Sequence, residues 1–138
     1  MFEVVGYEEV GFEGVLRFIR KVSPDAVLDE EIVRNAVLIR SGDEVVGSVA
    51  YEARGDVGVI RYFVYDGGAV TDAVVGMFFE LYRRAKESGV VQLVGVAPGG
   101  DVYLLFEMLG FVQVRKDVPD AASHLLGVPD ANVMMIRL

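Results

Sequence analysis

Apolar positions change period several times along this chain, and each change marks an element. Residues 2–5 alternate loosely and predict a first strand, after which residues 8–22 shift to helical spacing through Phe12, Val15, Leu16 and Ile19. Ser23-Pro24 ends that helix, because the residue before a proline is turned away from helical backbone. Asp29, Glu30 and Glu31 open a short second helix at its positive dipole end, and Ile32, Val33 and Ala36 give it an apolar side. Three strands follow, at residues 37–40, 45–53 and 57–65. The polar loop Ser41-Gly42-Asp43-Glu44 separates the first two, and the turn Arg54-Gly55-Asp56 separates the second from the third. The third carries apolar and aromatic residues on both faces, as a central strand covered on each side should.

Residues 59–89 organise the rest: a buried strand, the glycine turn Asp66-Gly67-Gly68, and an amphipathic helix over residues 71–88. Thr71 suits its N-cap with Asp72 in the first turn, and Arg83, Arg84 and Lys86 sit near the other end, where Gly89 suits the position just past the last turn. Val74, Met77, Phe78, Leu81 and Ala85 share one face. Residues 90–96 predict a buried strand parallel to the one before the helix, since a helical crossover joins them. Pro98-Gly99-Gly100 breaks the chain. A short helix over 101–109, capped by Asp101 and closed by Gly110, leads to a strand over 111–115, a short helix around 121–126 and a closing strand over 132–138. The pattern is that of an α/β (α+β) protein.

Composition narrows the function classes. With 138 residues, 53% of them hydrophobic and 25% charged, the chain is expected to form one domain over residues 1–138 with a substantial core. A net charge of −8 repels polyanions, so no nucleic-acid partner is expected. The absence of cysteine removes disulfides, thiolate catalysis and sulfur-rich zinc sites, and favours a cytoplasmic location. No apolar run approaches a membrane span and the first residues do not resemble a leader, so no membrane partner is expected.

Phe63-Val64-Tyr65 running into a glycine turn, the helix ending Arg83-Arg84-Ala85-Lys86-Glu87-Ser88-Gly89, and the segment Leu105-Phe106-Glu107-Met108-Leu109-Gly110-Phe111 together resemble the GNAT acetyltransferase superfamily, over residues 2–138. The resemblance implies a GNAT-like mixed central sheet of about six or seven strands flanked by about four helices. It also implies acetyl-CoA as the acyl carrier, lying along Phe63, Val64, Tyr65, Gly67, Gly68, Ala69, Val70, Thr71, Asp72 and Ala73. The chain departs from the family at the polar markers, as a divergent member with a degenerate acetyl-CoA motif. The family's pyrophosphate loop, Gln/Arg-x-x-Gly-x-Gly/Ala, falls on residues 69–74, so that Ala69 replaces the basic or amide residue while Asp72 and Val74 replace the glycines. Glycine lets a phosphate approach the backbone, whereas Asp72 adds a negative charge there. The family's frequent Asn falls on Gly99, and the tyrosine that often protonates the departing thiolate falls on Phe106.

Acyl transfer needs a donor to the thioester carbonyl, a base for the attacking amine and an acid for the thiolate. A backbone N–H near Phe63 or Val64 suits the first role if the strand splays there. Glu52, Glu80 and Glu107 are the candidate bases, with Glu80 better read as a surface ion pair with Arg83 and Arg84. Tyr103, one helical turn before Phe106, is the nearby phenol; it reads either as the acid or as a half-buried structural tyrosine. His124, the only histidine, lacks the neighbours of a metal site, and Ser48, Ser88 and Ser123 lack a nucleophile motif. Gly67-Gly68 reads as a simple turn or as a phosphate cradle. The functional expectation is an N-acyltransferase acting on a small-molecule or peptide amine. The alternatives are a GNAT-fold binding or scaffold protein without a CoA site, and a sensor of another small molecule. So apolar a chain is also compatible with a homodimer.

Overall fold

The computed structural model describes residues 1–66, 69, 71–114, 118–127 and 132–138, and the side chains of all of these but 126 and 127. In chain order the elements are β1 (Phe2–Gly6), α1 (Tyr7–Val22), α2 (Glu30–Val33), β2 (Val37–Ser41), β3 (Glu44–Arg54), β4 (Val57–Tyr65), α3 (Thr71–Glu87), β5 (Gln92–Ala97), α4 (Gly100–Met108), β6 (Val112–Gln113), a 3-10 helix (Asp120–Gly127) and β7 (Asn132–Arg137). The seven strands form a mixed sheet in the order β1-β2-β3-β4-β5-β7-β6, with β5 parallel to β4 and antiparallel to β7. This is the mixed α/β architecture expected from the sequence.

Several boundaries moved for local reasons. Gly11, at φ 78° and ψ 167°, breaks α1, so that one turn precedes the helix proper. Asp29 caps α2 as its Oδ1 accepts the Glu31 N–H at 3.0 Å. Thr71 lies inside α3 as its first residue instead of capping it. At the other end Gly89 adopts φ 91°, and the Val90 N–H to Ala85 carbonyl bond of 3.0 Å with the Gly89 N–H to Lys86 bond of 3.1 Å completes the left-handed closure. Helix α4 is capped by Gly99 without a side-chain bond, and Asp101 falls in its first turn. The strand expected over 111–115 shortens to β6, with Arg115 outside the described residues, and the short helix near 121–126 is 3-10 in form.

Contacts group the chain into two compact units, Met1–Glu52 with Arg61–Arg84, and Ala53–Ile60 with Ala85–Leu138. In the first, α1 buries Val15, Phe18 and Ile19 and α2 buries Ile32 and Val33 against Val5 and Leu38, with Tyr62 and Val64 packed on this cluster. The predicted face of α3 is buried through Val74, Met77, Phe78 and Leu81. In the second, Val57, Val59, Val94, Ala122 and Val133 form one cluster.

Within the first unit Arg84 joins two helices. Its guanidinium lies 3.0 Å from Glu8 in the first turn of α1 and 3.4 Å from Glu80, which also accepts from Arg83 Nε at 2.7 Å. A side chain at Gly6 would occupy the space taken by the Glu8–Arg84 pair. The Arg84 hydrogen bond holds the Glu8 carboxyl below its ordinary range, and the Arg83 bond does the same for Glu80. A carboxylate whose folded pKa is depressed stabilises the fold fully above its unfolded pKa and loses that contribution as pH falls through the folded value. The melting temperature should therefore fall between about pH 5 and pH 3, and Arg84→Gln should flatten that slope while lowering the plateau. Thermal melts across this range check it; an unchanged slope in the variant would count against the pairing.

Candidate active site

Parallel pairing of β4 with β5 covers Val57↔Gln92, Gly58↔Leu93 and Val59↔Val94. Beyond those pairs both strands continue, β4 to Tyr65 and β5 to Ala97, the latter still paired with β7. Just past the last pair, Tyr62 adopts φ 54°, the one positive φ at a non-glycine residue among those described. An L-residue in the left-handed region costs about 1–2 kcal/mol, and such strain persists only where surrounding contacts over-determine it. This strained angle therefore has to be held, and it lies next to Phe63 and Val64, where the sequence suggested the carbonyl donor.

Packing alternates from Tyr62 to Tyr65. Tyr62 and Val64 pack on the cluster under α1 and α2, while Phe63 stacks on Tyr65 at 5.4 Å and meets Phe78 of α3 edge-on at 4.9 Å. Arg61 places its guanidinium 5.1 Å from the centroid of the Tyr62 ring and donates to Glu52 at 2.7 Å. Glu52, 23% exposed at its side chain, is thus tied to a cation next to Tyr62.

Downstream of β4, the Ala69 N–H donates to the Asp66 carbonyl at 2.8 Å. Thr71 and Asp72 are exposed at the start of α3, and Ala73 is half-buried. Gly67, Gly68 and Val70 lie outside the described residues. Asp72 thus presents its carboxylate in the first turn of a long helix, at the end where an anion would otherwise be favoured.

In the second unit Tyr103 is half-buried and donates to Gln113 Oε1 at 3.4 Å. Gln113 Nε2 in turn donates to Asn132 Oδ1 at 2.8 Å, and Asn132 Nδ2 to the Ala97 carbonyl at 3.3 Å. This polar chain links α4, β6, β7 and the last residue of β5. Phe106, one turn further along α4, is 1% exposed and stacks on Phe111 at 4.9 Å. It is a core residue.

Glu80 is ion-paired as expected, and Glu107 is exposed. His124 Nδ1 sits 3.3 Å from the Arg54 guanidinium, which also donates to the Ala121 carbonyl, and no metal-holding group of side chains occurs among the described residues. Burial pushes the Tyr82 phenol far above its ordinary value, so it stays protonated. Among the described residues no helix is long and apolar enough to cross a membrane.

Sequence reasoning dismissed Ser48, the only buried polar side chain among the described residues, because it lacks a nucleophile motif. Its hydroxyl donates to the Tyr62 carbonyl at 2.7 Å. The one available signal was a serine among the apolar residues of a central strand.

No protein-family model matches the chain, and no curated protein matches it in sequence. Solved structures do. N-acetylglutamate synthase from Neisseria gonorrhoeae, complexed with coenzyme A and N-acetyl-glutamate, superposes with a TM-score of 0.75 at 11% identity over 100% of this chain. The chain spans 35% of that protein's length. A GNAT-family acetyltransferase from Staphylococcus aureus Mu50 superposes at 0.68 with 12% identity, over 100% of this chain and 99% of the other. Aminoglycoside 6'-acetyltransferase type Ii gives 0.71 with 17% identity, over 99% and 96%. The element order, the mixed sheet and these superpositions agree: the chain has the fold of the GNAT acetyltransferases.

Proposed function

We propose that this chain is a divergent GNAT-family N-acyltransferase that moves an acetyl or other acyl group from a CoA thioester to a small-molecule or peptide amine. The observation that carries the reading is the left-handed backbone angle of Tyr62 within β4, beyond the last β4–β5 pair at Val59. Structural relatives complexed with coenzyme A support it, as does an aminoglycoside acetyltransferase with the same fold. In the reaction the amine nitrogen bonds to the thioester carbon, the carbon–sulfur bond breaks, the nitrogen loses a proton and the thiolate gains one. A main-chain N–H at Phe63 or Val64 would stabilise charge developing on the carbonyl oxygen. Glu52 is the candidate base, acting beside Arg61, and Tyr103 the candidate acid, oriented by Gln113. The carrier would run along Phe63–Tyr65 toward the start of α3. Cytoplasmic location and a homodimer belong to the same proposal; light scattering reads the mass.

Isothermal titration with acetyl-CoA and with CoA, followed by thiol release against a panel of amines, tests this reading. Absence of heat at millimolar ligand sinks it. The rival, a GNAT-fold binding or scaffold protein without a carrier site, is favoured by the burial of Phe106 at the position of the family's phenol. Turnover of any amine by the isolated chain would exclude that rival.

Asp72 yields a separate prediction. A carboxylate in the first turn of a helix is stabilised by about 0.3–1 kcal/mol, and the same field acts on a pyrophosphate placed there. Asp72→Asn should therefore tighten CoA binding by about two- to fivefold, with little effect on dephosphorylated pantetheine. Equal gains for both ligands would remove the phosphate from the start of α3.

A further inference from the structure

We infer that Ser48 and Tyr62 are positioning residues that aim the Phe63 N–H at the acyl carbonyl. This inference rests on the acyltransferase reading above and adds the device that shapes its carbonyl site.

Planarity supplies the link. The carbonyl of Tyr62 and the N–H of Phe63 belong to one peptide unit, and in a trans peptide they point in opposite directions. Ser48, on β3, donates to that carbonyl at 2.7 Å and so pulls it toward β3. The Phe63 N–H is thereby directed to the opposite edge of β4, which in the sheet order is the edge that carried β5 until Val59. An ordinary strand residue would not need such a hold. Tyr62 does, because at φ 54° its backbone lies where a bulky L-residue is disfavoured.

The Tyr62 side chain supplies a second hold. Its phenol oxygen accepts the Asp29 N–H at 3.0 Å, at the residue whose carboxylate caps α2. Arg61, its guanidinium 5.1 Å from the ring centroid and itself fastened to Glu52, packs on the same residue. The peptide unit is thus held at its carbonyl by Ser48 and at its side chain by the start of α2. Ser48 is buried to 1% exposure, so water does not compete for its hydroxyl.

Ser48→Ala and Tyr62→Phe each remove one hydroxyl and leave the apolar packing in place. Acetyl-CoA labelled with carbon-13 at the carbonyl is the probe, read by NMR alongside steady-state kinetics. The native chain should shift the bound carbonyl resonance downfield of free acetyl-CoA. In Ser48→Ala that shift should shrink, kcat should fall about 10- to 100-fold, and the KM for acetyl-CoA should change less than about threefold. Tyr62→Phe should act in the same direction with a smaller effect, and Ser48→Thr should restore the native shift. In the ligand-free chain the amide and Cα shifts of Tyr62 and Phe63 should move in Ser48→Ala with the melting curve still cooperative. If both variants bind labelled acetyl-CoA with the native carbonyl shift, the inference is overturned while the acyltransferase reading stands. If the native chain binds no acetyl-CoA, both fail together. If Ser48→Ala leaves the Tyr62 and Phe63 shifts unchanged, the hold itself is absent.

Discussion

Phe78→Ala is expected to destabilise the protein by about 3–5 kcal/mol, a large part of a typical domain's margin of about 5–15 kcal/mol. Phe78 is fully buried on the apolar face of α3. Its ring meets Phe63 edge-on, centroids 4.9 Å apart and planes at 89°, and lies 6.2 Å from Tyr82. The substitution removes the transfer free energy of the ring, opens a cavity under the helix and deletes an aromatic pair worth about 0.5–1.5 kcal/mol beyond area. Urea denaturation reads the loss from the midpoint at unchanged slope. Phe78→Leu, which keeps most of the volume, should lose less. A loss below about 1 kcal/mol in the alanine variant would mean that the helix can settle into the space.

The second large effect belongs to the other unit. Phe106→Ala should also lose about 3–5 kcal/mol, because the ring is 1% exposed and stacks on Phe111 with centroids 4.9 Å apart and planes at 29°. The same two residues close α4, the Phe111 N–H donating to the Phe106 carbonyl at 2.9 Å. A Cβ at Gly95 would crowd Ile60 at 3.3 Å while meeting Phe106 Cε2 at an ordinary contact distance of 3.5 Å. Tyr103→Phe, by contrast, removes one long hydrogen bond and should change stability by at most about 0.5–1.5 kcal/mol. Thermal unfolding of the pair separates the residue that builds the core from the residue proposed for chemistry. Comparable losses in both variants would contradict this division.

The parts of the fold that were legible are those encoded by near neighbours in the chain. The face of α3 through Val74, Met77, Phe78 and Leu81 follows from residues three and four apart, and the Glu80 pairing with Arg83 and Arg84 from the same spacing. The reach of Arg84 to Glu8, 76 residues away, has no such signature. Caps misled at Thr71 and Asp101, where a residue of capping type falls inside the first turn of its helix instead of before it. Of the candidate carrier positions, Phe63, Val64 and Tyr65 lie at the end of β4 and Asp72 is exposed at the start of α3. Phe106 was readable as a missing phenol, but its place in the core was not.

By itself the sequence determined the order of elements, the faces they bury, the lack of thiol chemistry and the absence of the usual phosphate-loop glycines, because each is a matter of composition or local periodicity. Tertiary structure alone decided that Tyr62 takes a left-handed backbone angle within β4 and that Ser48, 14 residues away, donates to its carbonyl. A disfavoured backbone angle is set by whatever partners restrain it, and here those partners come from β3 and from the start of α2.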